Sequence, residues 1–302
     1  MNTDSRSDGL PARFRYSLVI ATLHDRGDLA LCLESLVALE AAPSFEVLVI
    51  DQNGDDRLCD LVARFSSRLS ILHLQVPFRG ACRARNLGAA RARGEWVGFP
   101  DDDCRFLPDT LCEVERLSSD ARARVVTGLT LDDAGTPNLR HWKAGDAEFS
   151  QWTMLGRVTE PALFVRRDVF LSAGGFDERF GPGARFPSAE GFELMNRLFA
   201  CMGDGKALYS ERVRVKHPAK VPPWNRWVVA RFYAYAVGAG GVVAKHRTPH
   251  MVLWGVRIMI GSAVQALLYR GFRGAAFAAR LRGFCAGVRE GARVFWFDSR
   301  QG

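Results

Sequence analysis

WVGFPDDDC, residues 96–104, joins an apolar run to three consecutive carboxylates. Such a run predicts a buried strand whose carboxyl end opens at the edge of an α/β sheet. The side chains of Asp101, Asp102 and Asp103 repel one another, and a divalent cation such as Mg²⁺ or Mn²⁺ would relieve that repulsion. Alternatively, the carboxylates cap a helix, because a helical pattern soon follows from Pro108 and acidic residues favour helix N-termini.

The segments on both sides alternate between strand and helix patterns. Apolar runs at residues 16–22, 45–50 and 69–76 precede this stretch, and runs at 124–131 and 162–165 follow it. Apolar positions at helical spacing lie between most of these runs. The alternation predicts an α/β fold with a mostly parallel, Rossmann-like sheet and helices on both faces.

Polar loops follow three of the predicted strands, at residues 22–28, 51–56 and 101–103. The carboxyl ends of parallel strands lie together, so these loops predict one ligand pocket. Asp51, directly after its strand, suits a contact with a ribose or a base, or it caps a helix. The absence of GxGxxG after the first strand and of GxxxxGK[ST] argues against a dinucleotide fold and a P-loop.

A small-residue helical pattern from about residue 81 to 92 has Arg83, Arg85 and Asn86 near its start. Backbone N–H groups at a helix N-terminus attract anions, so Arg85 is a candidate phosphate contact. The alternative is a solvated arginine on the helix surface.

Composition excludes several classes of protein. The 302 residues are 48% hydrophobic and 25% charged, as in an ordinary globular protein and unlike a disordered or fibrous chain. The seven cysteines form no CxxC, so we expect a reducing cytoplasm and neither a disulfide framework nor a zinc site. Residues 1–15 are polar and lack the apolar core of a secretory signal, and we expect a flexible leader there.

The net charge of +8 is unevenly distributed along the chain. Residues 206–302 hold 17 Lys and Arg against 3 Asp and Glu, whereas residues 1–205 hold 24 against 30. Such a basic segment suits nucleic acid, an anionic membrane surface or an acidic substrate. Nucleic acid ranks last, because the segment has no recognised nucleic-acid motif and a high apolar content.

Within the C-terminal region 221–302, residues 251–269 approach the length of a membrane span. Arg257 interrupts this stretch and both of its flanks are basic, which disfavours a span. We therefore expect a basic, amphipathic α-helical region that lies on an anionic membrane surface. The alternative is a helical subdomain packed on the sheet or on a second subunit, so a homo-oligomer stays open.

Seven short motifs follow one another along the chain. They are residues 19–22 with Asp25, 49–51, Gly80 with 84–88, 99–103, 174–178, Glu190 with Leu194 and Arg197, and 215–217. Taken in this order, they resemble the motifs of inverting family 2 glycosyltransferases with the GT-A fold. The resemblance extends over residues 17–218, about two thirds of the chain. It implies a catalytic domain at 16–220, with a nucleotide-binding half at 16–131 and an acceptor half at 132–220.

For the nucleotide, the resemblance implies that Thr22 and Asp25 lie beside it and that Asp51 contacts its base or ribose. Arg85 would lie near the diphosphate. The expected partner is a nucleotide-sugar donor, with UDP-, GDP- and dTDP-sugars as the candidates.

For the metal, Asp101 and Asp103 match the family's DxD motif, and Asp102 between them belongs to the same donor site. His217 matches a histidine that many members place near the metal or the diphosphate. The expected cofactor is Mg²⁺ or Mn²⁺, which stabilises the departing diphosphate in a single in-line displacement.

The motif for the catalytic base departs from the family. Members usually carry Glu-Asp at the start of the acceptor-side helix, where the Asp is the base, but this chain has Glu190 followed by Gly191. We expect Glu190 to take the role, with Glu193 and Asp177 as alternatives. The loop beneath sugar and acceptor matches Gly175, Phe176 and Asp177.

We therefore expect a metal-dependent inverting glycosyltransferase at the inner face of the membrane. Its acceptor would be a glycan or a lipid-linked acceptor, as in bacterial surface polysaccharide synthesis. One alternative is a non-catalytic relative that binds a sugar nucleotide or a partner, which Gly191 makes plausible. The other is a nucleotidyltransferase on a similar sheet, although the first loop lacks its lysine- and glycine-rich phosphate motif.

Overall fold

One nine-stranded sheet and nine α-helices are found in residues 14–24, 27–138, 142–218 and 223–297, which the computed structural model describes. Asp25 and most of the predicted leader lie outside these residues. The strands are β1 (Phe14–Thr22), β2 (Phe45–Asp51), β3 (Ile71–Gln75), β4 (Gly94–Gly98), β5 (Arg105–Phe106), β6 (Ala123–Leu131), β7 (Ala147–Phe149), β8 (Leu163–Arg166) and β9 (Lys206–Lys216). The helices are α1 (Asp28–Val37), α2 (Cys59–Phe65), α3 (Ala81–Arg91), α4 (Thr110–Ser118), α5 (Arg167–Ser172), α6 (Glu190–Cys201), α7 (Arg226–His246), α8 (Pro249–Leu268) and α9 (Gly271–Ala292).

Strands β3, β2, β1 and β4 lie side by side in that order and run parallel. Val47, Leu48, Val49 and Ile50 of β2 are fully buried, as is typical of a parallel strand covered on both faces. On one face, α1, α2 and α4 bury Leu33, Val62 and Leu111 against the sheet. Helices α3, α5 and α6 cover the other face, so the predicted α/β fold is confirmed.

The register of these strands aligns their carboxyl ends. Thr22 lies opposite Asp51, and Ala21 forms an isolated parallel bridge with Asp101 beyond the end of β4. The loops after β1, β2 and β4 therefore meet at one edge of the sheet.

The second half of the sheet contains antiparallel pairs. β8 lies antiparallel between β4 and β6, with Gly98 opposite Phe164. β9 runs parallel to β6, and β5 pairs with the end of β9 so that Arg105 lies opposite Lys216. This last pairing brings the residue after β9, His217, beside the loop of aspartates.

The predicted helical C-terminal region consists of α7, α8 and α9. α9 packs along α7 in the same direction at very short range, since a Cβ at Gly287 would overlap with the carbonyl oxygen of Val237. Val242 and Met251, from α7 and α8, are buried in the same cluster as the core side of α6. The predicted boundary between residues 220 and 221 lies outside the described residues.

Candidate active site

Two carboxylates and an imidazole meet at the carboxyl edge of the sheet. His217 Nε2 lies 3.5 Å from Asp103 Oδ1 and 3.7 Å from Asp101 Oδ2. With the sulfur of Cys104, their ligand atoms lie within 4.8 Å of one another. Burial and the neighbouring aspartates raise the pKa of the Cys104 thiol well above its usual range, so the thiolate form is disfavoured. The remaining oxygen and nitrogen donors, Asp101, Asp103 and His217, fit Mg²⁺ or Mn²⁺.

Asp102 points to β1 rather than to the imidazole. Thr22 Oγ1 donates a 2.7 Å hydrogen bond to Asp102 Oδ2. Burial raises the pKa of Asp102 to about 6, with added repulsion from Asp101 and Asp103, although the bond from Thr22 opposes the shift. A cation beside this loop would stabilise the ionised form of all three carboxylates.

Asp51 is fully buried and organises its own loop. Its Oδ1 accepts hydrogen bonds from the backbone and side chain of Asn53, and its Oδ2 lies 3.0 Å from His73 Nε2. Asn53 in turn accepts a bond from the backbone N–H of His24, which ties the loop after β2 to the loop after β1. The contact of Asp51 with a base or ribose stays a prediction.

Arg85 of α3 connects the aspartates to the start of α6. The guanidinium of Arg85 pairs with Asp101 and lies 3.4 Å from Glu190 Oε1. Arg85 as a whole is only 3% exposed. Burial lowers the pKa of Arg85, but Asp101 and Glu190 more than offset this, so the group is a permanent cation. A buried cation at this position compensates the acidic cluster. The contact of Arg85 with a diphosphate stays a prediction.

Glu190 begins α6, and the carboxylate of Glu160 is close enough to repel it electrostatically. Burial, together with repulsion from Glu160, raises the pKa of Glu190 to about 7, although Arg85 opposes the shift. Glu160, in the short 3-10 turn Glu160–Ala162 before β8, accepts a 2.8 Å hydrogen bond from the backbone N–H of Gly191. Glu160 belongs to none of the sequence motifs, so no local signal marks it as a functional residue.

Glu193 and Asp177, the alternative bases, are bound by cations. Lys245 Nζ lies 2.5 Å from Glu193 Oε1 and 2.7 Å from Asp177 Oδ2. Burial would raise the pKa of Glu193, but hydrogen bonds from His246 and Arg197 and the charge of Lys245 lower it to about 2. The pKa of Asp177 is lowered in the same way, because bonds from Arg179 and Lys245 outweigh its burial. Carboxylates held as anions by so many donors are poor proton acceptors.

The predicted sugar and acceptor loop is fixed by Asn86 of α3. Asn86 Oδ1 accepts a bond from the backbone N–H of Phe176, and its Nδ2 donates to the carbonyl of the same residue. Gly175 has a φ of 68°, and a Cβ there would lie 2.6 Å from Asn86 Oδ1, so the loop requires glycine. The ring of Phe176 is buried, with its centroid 5.6 Å from the guanidinium carbon of Arg85.

Solved structures share this fold. S. aureus TarS 1–349 in complex with UDP aligns with a TM-score of 0.57 at 17% identity, over 92% of each chain. Mannosyltransferase PcManGT from Pyrobaculum calidifontis, in complex with GDP-Man and Mn²⁺, aligns with a TM-score of 0.59 at 15% identity, over 92% of this chain and 87% of that one. These similarities confirm the predicted GT-A type fold.

Curated relatives are similar in sequence over part of their length. The glucosyl-dolichyl phosphate glucuronosyltransferase of Haloferax volcanii is 28% identical over 200 residues, which are 61% of this chain and 62% of that protein. The O-antigen biosynthesis protein RfbC of Myxococcus xanthus is 27% identical over 270 residues, 78% of this chain and 20% of that protein. The chain thus spans less than two thirds of these relatives.

The family model "Glycosyl transferase family 2" matches residues 17–169, about half of the chain. This segment includes the three polar loops, Arg85 and Asp101, Asp102 and Asp103. The predicted resemblance is confirmed, and the chain belongs to glycosyl transferase family 2.

Proposed function

We propose that this chain is a metal-dependent inverting glycosyltransferase that transfers a sugar from a nucleotide-sugar donor to a glycan or lipid-linked acceptor. The observation that carries the proposal is the convergence of Asp101, Asp103 and His217 at the edge of the sheet, next to the buried cation Arg85. A bound Mg²⁺ or Mn²⁺ would supply positive charge for the diphosphate as it departs.

The residues around this cluster support a donor with a diphosphate. Arg85 provides a fixed cation, and the loops after β1 and β2 are tied together beside the aspartates. UDP and GDP-Man occupy the complexes of TarS and PcManGT, which share the fold. The acceptor would approach the start of α6, where Glu160 and Glu190 are the carboxylates closest to Gly191.

Calorimetric titration with UDP-, GDP- and dTDP-sugars, with and without Mn²⁺, tests the donor site. We expect one donor to bind only with the metal, and Asp103→Ala to weaken its binding at least about tenfold. Asp204→Ala, which removes a carboxylate that is 85% exposed, is the matched control and should bind normally. Metal-independent binding, or no binding of any donor, would contradict the proposal.

A second candidate is a relative that binds the donor without turnover, which the glycine at position 191 favours. Release of nucleoside diphosphate separates the two functions. A donor that binds with metal but stays intact, in the presence of a panel of glycan and lipid-linked acceptors, would favour the non-catalytic candidate.

We further propose that the protein acts at the inner face of a membrane. By length and composition alone, α7 and α8 could each cross one, which is weak evidence for a span. α8 exposes a row of large apolar side chains at helical spacing, and Arg257 and Arg270 are exposed beside it. An amphipathic helix with basic residues suits an anionic surface, close to a lipid-linked acceptor. The row is Val252, Leu253, Val256, Ile260, Val264, Leu267 and Leu268.

A further inference from the structure

Gly191 leaves a space that another segment fills. A Cβ built on Gly191 would overlap with Oε1 of Glu160, so the carboxylate of Glu160 occupies the volume that a side chain at position 191 would take. The same oxygen accepts the backbone N–H of Gly191. A carboxylate therefore lies beside the position that, by the resemblance, carries the base in family members, although it comes from a different part of the chain.

The topology places Glu160 at the reacting edge of the sheet. β8 runs antiparallel to β4 with Gly98 opposite Phe164, so the residues that lead into β8 lie beside those that follow β4. The aspartates of the metal cluster follow β4. Glu160 is also close enough to Arg85 and Glu190 to act on both electrostatically.

Glu160 and Glu190 differ in what they contact. Glu190 is 7% exposed and pairs with the guanidinium of Arg85. This pairing holds the guanidinium next to Asp101. Glu160 is partly exposed, and the hydrogen bond from Gly191 orients it. A carboxylate that accepts a proton must be accessible to the incoming hydroxyl, whereas a carboxylate that only holds a neighbouring cation in place can be buried.

We propose that Glu160 is the catalytic base of this protein and that Glu190 is a positioning residue for Arg85. This inference rests on the proposed function. The acceptor oxygen forms a bond to the anomeric carbon, and its proton passes to the carboxylate of Glu160. The bond from the anomeric carbon to the diphosphate oxygen breaks, and its electron pair leaves with the nucleoside diphosphate.

The test uses the full chain, Mn²⁺ and whichever of UDP-glucose, UDP-N-acetylglucosamine and GDP-mannose binds best by calorimetry. Release of nucleoside diphosphate is measured with water and then with sodium azide as nucleophile. Glu160→Gln keeps an acceptor for the Gly191 N–H but is a poor base. We expect unchanged donor affinity and release to water slowed about 100-fold. Azide carries no proton to remove, so it should restore most of the rate.

Three results would overturn the inference: a fully active Glu160→Gln, a slow Glu160→Gln that azide does not restore, or azide rescue of Glu190→Gln instead. Glu190→Gln should chiefly weaken donor binding, through Arg85. Glu148→Gln, an exposed change on β7, is the control for loss of a carboxylate. Failure of the unaltered protein to bind any donor would instead remove the proposed function, and this inference with it.

Moving the carboxylate gives a second test. Glu160→Ala removes the atoms that overlap with a side chain at position 191, so Glu160→Ala combined with Gly191→Asp can place the carboxylate on α6. We expect the double variant to release nucleoside diphosphate at least about tenfold faster than Glu160→Ala alone. Equal rates in a double variant that melts like the unaltered protein would count against a base at this position.

Discussion

Glu193 is fully buried, and Arg197, Lys245 and His246 all contact its carboxylate. Removal of one partner from a buried ionic network leaves the others uncompensated. We expect Glu193→Gln to lower the free energy of unfolding at pH 7 by about 3 kcal/mol. This is the free energy that corresponds to the lowering of the pKa of Glu193 from 4.5 to about 2 on folding. Urea unfolding of the two proteins measures the difference.

The same network predicts a pH dependence with a definite sign. A carboxyl group whose pKa is lowered on folding stabilises the protein above its unfolded pKa of 4.5, and the contribution is lost as the pH falls toward 2. The gap in unfolding free energy between the unaltered protein and Glu193→Gln should therefore shrink between about pH 5 and 3. Glu40→Gln, an exposed change, should show no gap at any pH. A gap that is constant with pH would contradict the assignment of the shift to Glu193.

At the residue level, the sequence allows the cluster of Asp101, Asp103 and His217 to be predicted but not the carboxylate network around it. Asp101 and Asp103 belong to one motif, and the alignment of strand ends places them at the edge of the sheet whatever the details of packing. No local sequence pattern identifies Glu160 or Lys245, because their contacts with residues of α6 form only when β8 and the end of α7 pack beside that helix. Such pairings are long-range properties of the fold.

Among the elements, α7 and α9 depend on glycines for their contact. Gly287 lies against the carbonyl of Val237, whereas Gly261 of α8 has no atom within 4 Å of its missing Cβ among the described residues. Both positions are helical, so alanine gains the same helix propensity at each. We expect Gly261→Ala to be neutral or to stabilise by up to about 1 kcal/mol, and Gly287→Ala to destabilise by roughly 1–3 kcal/mol.

Thermal unfolding of the two alanine variants provides the measurement. Since their propensity gain is equal, the difference in melting temperature reports the close approach of α7 and α9. Equal melting temperatures would show that the two helices can separate at little cost.

The predictability of each element depends on its burial pattern. The parallel strands β1, β2 and β4 are continuous apolar runs, so their positions and order in the chain are readable from the sequence. The full length of β9 is not readable, since exposed Glu211 and Arg212 interrupt its apolar pattern. The insertion of β8 between β4 and β6 is not readable, because it depends on pairing between segments far apart in the chain.

Over the whole molecule, the basic C-terminal third is attached to the acidic first two thirds of the chain through α7. Lys245 near the end of this helix binds Asp177 and Glu193, and Val242 enters the core. The C-terminal helices therefore hold Asp177 and the first turns of α6 in place, while α8 leaves an apolar face uncovered by the described residues. A membrane bound to that face would lie at a fixed position relative to the site.

Sedimentation with liposomes tests this arrangement. We expect binding to vesicles with about 30 mol% phosphatidylglycerol, weak binding to phosphatidylcholine alone, and loss of binding in about 0.5 M NaCl. The double change Ile260→Ser and Val264→Ser keeps the charge and removes apolar surface, so it should weaken binding about tenfold. Leu31→Ser, at a side chain 51% exposed on α1, should bind normally. Indifference to lipid charge and to the double change, with a dimer on size-exclusion chromatography, would instead identify α8 as a contact between two copies of the chain.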